Sequence, residues 1–154
     1  MGKIDLAAAT VRIGSGYPSP YDEPCRERRR LKLGDVARLT QFGVNLLRLP
    51  AGAWSSQRHW HTAEDEFVWV VEGEVVLVTD AGEQILRAGD CAGFPAGEPN
   101  GHHLQNRSIR EVVLLEVGSR RPKEDRCDYP DIDLVSPPGG EFSHRDGRLY
   151  ADDE

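Results

Sequence analysis

Two histidines separated by one residue, His59 and His61, precede the acidic cluster Glu64, Asp65 and Glu66 in the stretch QRHWHTAEDEFVWVV. In an extended segment, residues two apart point the same way, so both imidazoles face one side. Strict alternation from His61 would put Glu66 on the opposite face. The intervening TAED can turn the chain, however, and let Glu66 re-enter on a neighbouring strand beside the imidazoles. A carboxylate directly before the apolar run FVWVV is an odd choice for a sheet interior. Isolated charge is costly there and needs a cation or several hydrogen bonds. A further imidazole comes from GDCAGFPAGEPNGHHLQN, where His102 and His103 open a later strand. Only one of the two can face inward with the first pair. His102 is preferred to His103, because Asn106, four residues on, could close that end. Three imidazoles and one carboxylate form a borderline donor set, suited to iron, manganese, cobalt, nickel, copper or zinc rather than calcium. The plainer alternative leaves His59 and His61 as water-facing hairpin residues with Glu66 merely solvated.

The elements that must position these residues read as short strands. FGVNLLRLP from Phe42, EFVWVV, EVVLVT, QILRA and REVVLLEVGS (Arg110 to Ser119) are separated by turns such as DAGE, Asp80 to Glu83. Sixteen glycines and ten prolines among 154 residues fit many tight turns. The pattern predicts an all-β fold, closed or sandwiched so that few sheet edges stay exposed. In EFVWVV, Glu66, Val68 and Val70 point one way and Phe67, Trp69 and Val71 the other. The second face must meet an N-terminal strand or another subunit, and a homodimer is the expected cover. Residues 14–30 mix turn formers with the basic run CRERRR and read as an irregular arm, the basic side chains solvated or paired with acids. After Gly118 the chain turns polar and should wrap over the barrel, with SHRDGRLY forming a hairpin on Asp146-Gly147. The expected division is an N-terminal arm (1–40), a β-barrel (41–120) and a C-terminal extension (121–154).

Composition narrows the partners. With 19 basic and 26 acidic side chains, the formal charge of −7 argues against non-specific binding to nucleic acid or an anionic membrane. No apolar stretch approaches the roughly 18 residues needed to cross a bilayer. The start MGKIDLAAATVRIGSG lacks a secretory apolar region, so cytoplasmic residence and a small-molecule partner are expected. Cys25, Cys91 and Cys127 are odd in number and widely spaced, which suits neither a thiolate metal motif nor a disulfide framework.

The stretch GAWSSQRHWHTAEDEFVWVVEG, Gly52 to Gly73, resembles the first motif of the cupin superfamily, with six residues rather than five before His59. Gly89 to Asn106 resembles the second, Pro95, Gly97, His102 and Asn106 falling in place with two extra residues before His102. The resemblance implies a double-stranded β-helix (jelly-roll) barrel. It also implies one divalent transition metal (zinc, manganese, iron, nickel or cobalt) held by His59, His61, Glu66 and His102. Single-domain bacterial cupins of this kind resemble sugar-phosphate isomerases, which implies an isomerase or epimerase acting through a metal-stabilised enediolate. A base would come from Glu64, Tyr129 or Tyr150, and a phosphate could meet Arg48, Arg58 or Arg87. A ferrous dioxygenase of a small organic substrate would use the same ligands, with Trp54, Trp60, Trp69 and Phe94 available as an aromatic wall. A non-enzymatic sugar-binding or small-molecule-binding protein is the third reading.

Overall fold

A computed structural model describes residues 2–153; Met1 and Glu154, the outermost residues of the arm and the extension delimited above, lie outside the described residues. The chain forms β1 (Val11–Ile13), β2 (Arg29–Lys32), the single turn α1 (Leu33–Val36), β3 (Phe42–Leu49), β4 (Trp60–His61) and β5 (Glu66–Glu72). It continues through β6 (Glu74–Thr79), β7 (Gly82–Arg87), β8 (Cys91–Phe94), β9 (His103–Gln105), β10 (Val112–Ser119), β11 (Cys127–Tyr129) and β12 (Leu134–Ser136). One sheet has the order β1-β2-β3-β10-β5-β8, a second β7-β6-β9, and a third β12-β11-β4. The ladders are antiparallel. The first two sheets face each other as the jelly-roll of an all-β double-stranded β-helix.

Alternation decides what lies between these sheets. Leu47 and Leu49 of β3, Val70 of β5, Val75 and Leu77 of β6, Leu104 of β9, and Val112 and Leu114 of β10 form one buried aliphatic cluster. Each such side chain contributes roughly 1.5–3 kcal/mol on leaving water. The β5–β6 turn depends on Gly73, whose φ is 90°. A Cβ there would also lie 3.1 Å from the Val112 side chain, so the tight reversal needs glycine twice over.

The arm is irregular over residues 14–28, but the basic run ends inside the sheet, because β2 starts at Arg29 and pairs with β3. Arg28 is buried rather than solvated, and donates to the carbonyls of Gly14 and Ser55. Beyond the barrel, β11 and β12 pack Cys127, Tyr129 and Leu134 against Tyr17 and Phe142, joining the arm to the extension. Ser143 bridges Leu149 around Asp146-Gly147, giving the expected hairpin. The outward face of β5 keeps Phe67, Trp69 and Val71 exposed by 36%, 47% and 52%. The N-terminal strand does not cover it, because β1 extends the sheet at its opposite edge, beyond β2. No helix among the described residues is long and apolar enough to cross a membrane.

Candidate metal centre

The sheet register explains how an open, polar space forms at one end of an otherwise aliphatic barrel. Leu47, Leu114 and Val70 lie in one cross-strand row, followed by Asn45, Glu116 and Val68, and then by Gly43, Gly118 and Glu66. Glu66 is therefore on the inward parity of β5; Gly118 beside it places no side chain in the space, and the Arg120 guanidinium lies over Gly43. A cavity of about 250 Å³ results, with Asn45, Glu66, Glu116 and His102 among its lining.

Glu66 is the focus of three imidazoles. Its Oε2 lies 2.6 Å from His102 Nε2 and 3.2 Å from His59 Nε2, while Oε1 lies 3.6 Å from His61 Nε2. His59 and His102 face each other through an isolated antiparallel bridge. His61 is placed by β4, which pairs with β11 of the extension. The Nδ1–H of His59 donates to the Gln57 carbonyl at 2.8 Å, and that of His61 to Asp125 Oδ2 at 2.6 Å. His102 stacks on Phe94 with ring centres 3.6 Å apart, and its buried Nδ1 has no hydrogen-bond partner of good geometry among the described residues.

Committing His59 Nδ1 as a donor turns its Nε2 lone pair toward the lone pairs of Glu66. Two acceptors at hydrogen-bond distance repel unless a proton or a cation lies between them. The protonation of the cluster reflects this demand. Burial disfavours charge on both His61 and Glu66. Even so, hydrogen bonds and charge from Glu66 and Asp125 raise His61 to about 9. Glu66 is held well below the usual carboxylate range by the three imidazoles. Burial lowers the pKa of His102.

Nitrogen and oxygen donors come within 4.8 Å of one another in the group His59, Glu66 and His102, and again in the group His61, Glu64 and Asp125. These clusters fit a single divalent transition-metal ion. Imidazole with carboxylate does not select among zinc, manganese, iron, nickel and cobalt. Cys127 also approaches His59 and His61, but burial drives its thiol pKa well up, away from the thiolate form.

The other nominated residues are scattered. Glu64 borders the main cavity and two adjoining ones; its Oε1 accepts the Arg121 N–H at 2.5 Å, and burial raises its pKa. Tyr129 stands in the wall beside His59, ring centres 5.8 Å apart, and burial pushes its phenol well above the ordinary value. Tyr150 lies elsewhere, stacked on His144 with its hydroxyl donating to the Asp133 carbonyl. His103 turns to the Ser56 carbonyl (2.9 Å) and the Gln105 amide, its ring edge-on to Trp54. Arg48 pairs with Glu111, Arg58 with Asp80 and Asp131, and Arg87 with Glu74, and none of these arginines lines the cavities around the imidazoles. Of the four aromatic candidates, Phe94 lines two of the cavities around the imidazoles and Trp60 one, whereas Trp69 faces outward and Trp54 packs on His103.

The site also contains groups the sequence reading passed over: Asp125 against His61, Arg30 with Glu116 inside the barrel, and Arg120 at the cavity wall. Glu116 was findable, since it shares parity with Val112 and Leu114 just as Glu66 does with Val68 and Val70. Asp125 had no such signal, because it sits in a polar loop.

Known proteins carry the same architecture. The cupin domain family matches residues 45–118. A crystal structure of a sugar phosphate isomerase from Silicibacter pomeroyi is 45% identical over 99% of both chains, with a TM-score of 0.90. A provisionally named sugar phosphate isomerase from Acidithiobacillus ferrooxidans is 29% identical over 76% of this chain and 74% of its own, with a TM-score of 0.70. The polyketide cyclase RemF of Streptomyces resistomycificus shares the fold at 21% identity, over 79% of this chain and 82% of its own, with a TM-score of 0.62. No curated protein matches the chain. Register, barrel and whole-length likeness lead to one conclusion: the chain belongs to the cupin superfamily.

Proposed function

We propose that the protein is a metal-dependent isomerase or epimerase of a sugar or sugar phosphate, with one divalent transition-metal ion held by His59, His61, Glu66 and His102. The observation that carries this reading is the whole-length likeness to a protein named as a sugar phosphate isomerase. The convergence of three imidazoles on Glu66 supplies a chemistry for it. When bound, such an ion supplies Lewis-acid polarisation of a carbonyl and stabilises negative charge on its oxygen as the neighbouring carbon loses a proton.

Glu64 is the residue we assign to moving that proton. It borders the cavities beside the imidazoles, and the single backbone N–H it accepts fixes its position. Burial raises its pKa above the ordinary carboxylate value, which makes it a stronger base than an exposed carboxylate. Tyr129 stays a neutral phenol in the wall. Arg120 pairs with Asp35 at 3.1 Å but, unlike Arg48, Arg58 and Arg87, lines the same cavity, which makes it the nearest of these guanidiniums to a phosphate. Our reading also makes the protein a cytoplasmic homodimer joined through Phe67, Trp69 and Val71, which are apolar and exposed.

The test is solvent-deuterium incorporation into a panel of aldoses, ketoses and their phosphates, with oxygen consumption followed in parallel. Exchange at carbon without oxygen uptake is expected, and Glu64→Gln should slow it by roughly 10²–10⁴-fold. Oxygen uptake by iron-loaded protein without exchange would replace this reading with a dioxygenase. Sugar binding with neither would leave a binding protein.

A further inference from the structure

Inside the barrel, spanning the first and second rows below Glu66, lies an ion pair that the metal centre does not use. Arg30 Nε donates to Glu116 Oε2 at 2.8 Å and Nη2 to Oε1 at 3.1 Å. Arg30 pairs across the ladder with Leu47, and Glu116 with Asn45, so all four share the inward face. Both members of the pair line the cavity that holds Glu66 and His102, and their side chains retain only 21% and 19% exposure.

Such a pair is a poor structural fastener, because desolvating two charges usually offsets their attraction and an apolar pair of the same volume would hold as well. Nor does the arm need it, since β2 is already bound to β3 over four residue pairs. What the pair adds is unused hydrogen-bonding capacity facing the cavity. Arg30 Nη1 and the Asn45 side-chain amide have no partners among the described residues, and each Glu116 oxygen accepts one bond from Arg30 with a lone pair to spare. The guanidinium is neutralised by its own carboxylate, which makes a second anion an unsuitable guest. Neutral hydroxyls, which both donate and accept, match the pair.

We propose that Arg30, Glu116 and Asn45 form a hydroxyl-reading subsite that holds the polyol chain of an acyclic sugar while its hydroxy-carbonyl end lies at His59, His61, Glu66 and His102. This rests on the sugar reading above and deepens it. The subsite selects substrates by hydroxylated chain rather than by charge.

Cobalt(II)-loaded protein tests this without assaying turnover, through ligand-induced changes in its visible spectrum. Glycolate carries only the chelating α-hydroxy acid, while erythronate and threonate carry the same unit plus further hydroxylated carbons. Wild-type protein should bind one of the longer acids at least about tenfold more tightly than glycolate, the size of a charge-assisted hydrogen bond. The double variant Arg30→Met/Glu116→Leu should keep its glycolate response and lose that preference. Glu116→Gln, nearly isosteric, should show a smaller loss of preference and serves if the double variant does not fold. A preference that persists in a folded variant, or that is absent from wild-type protein, overturns the subsite and leaves the metal-centre reading standing. If neither glycolate nor the longer acids perturb the wild-type spectrum, the sugar reading fails and the subsite with it.

Discussion

At one end of the barrel Leu47, Leu49, Val70, Val112 and Leu114 are sealed from water, while at the other the same three strands carry Asn45, Glu66 and Glu116 around an open cavity. The β3–β10 ladder keeps one register throughout, while the β5–β10 register shifts between Val113 and Leu114, and the two ends differ chiefly in which side chains occupy the inward parity. Aliphatics there close the space and supply stability. Replacing them with Asn45 on β3 and Glu116 on β10, two residues along, and with Glu66 on β5, four residues along and level with Gly118, keeps a site open at the cost of packing. Stability and chemistry are thus divided along the barrel axis, and each end should be alterable without the other.

The largest effect should come from the sealed end. Leu114→Ala removes a side chain with no exposure and should cost about 2–5 kcal/mol in urea denaturation, while calorimetric metal affinity stays near wild type. Metal affinity falling in step with stability would show that the division is false. At the open end, His59→Ala, His61→Ala, Glu66→Gln and His102→Ala should each abolish measurable metal uptake in titration calorimetry, with the β-sheet circular dichroism retained. Undiminished affinity in all four would remove the centre from this place.

A smaller change sharpens the boundary between the centre and its support. Asp125→Asn keeps the shape of the side chain but weakens its hold on His61 Nδ1, and should lower metal affinity by about 10–100-fold. No change there would make the extension a cover rather than a support. The smallest effect is a pH dependence of metal-free protein. His61 has a folded-state pKa of about 9 against an ordinary 6.5, so its contribution is complete below 6.5 and is lost as pH rises through 9. The free energy of unfolding should therefore fall across that window, by on the order of 1–3 kcal/mol, and His61→Asn should flatten the profile.

Much of the positioning was legible because β-strands have a period of two. The parity of His59 and His61, and of Glu66 with Val68 and Val70, can be read from one chain segment without knowing its neighbours. The same rule could have singled out Glu116 on β10, where a carboxylate follows Val112 and Leu114 at inward parity. The arginines misled for a related reason. Arg48, Arg58 and Arg87 are visible as charges in the sequence, but the acids that occupy them, Glu111, Asp80 with Asp131, and Glu74, come mostly from other segments. Tyr150 was nominated by type alone, and the extension carries it to His144 rather than to the imidazoles.

The order of residues set the strand parities, the turn glycines and the supply of imidazole and carboxylate, because these depend on local backbone geometry and side-chain chemistry. Folding in three dimensions chose among them. It set His102 Nε2 against Glu66 and turned His103 to Ser56, brought Asp125 to His61 from 64 residues away, and enclosed Arg30 with Glu116 across the sheet. Such pairings are fixed by ladder register and by which loops meet, and contacts between distant segments leave no periodic trace in the chain that makes them.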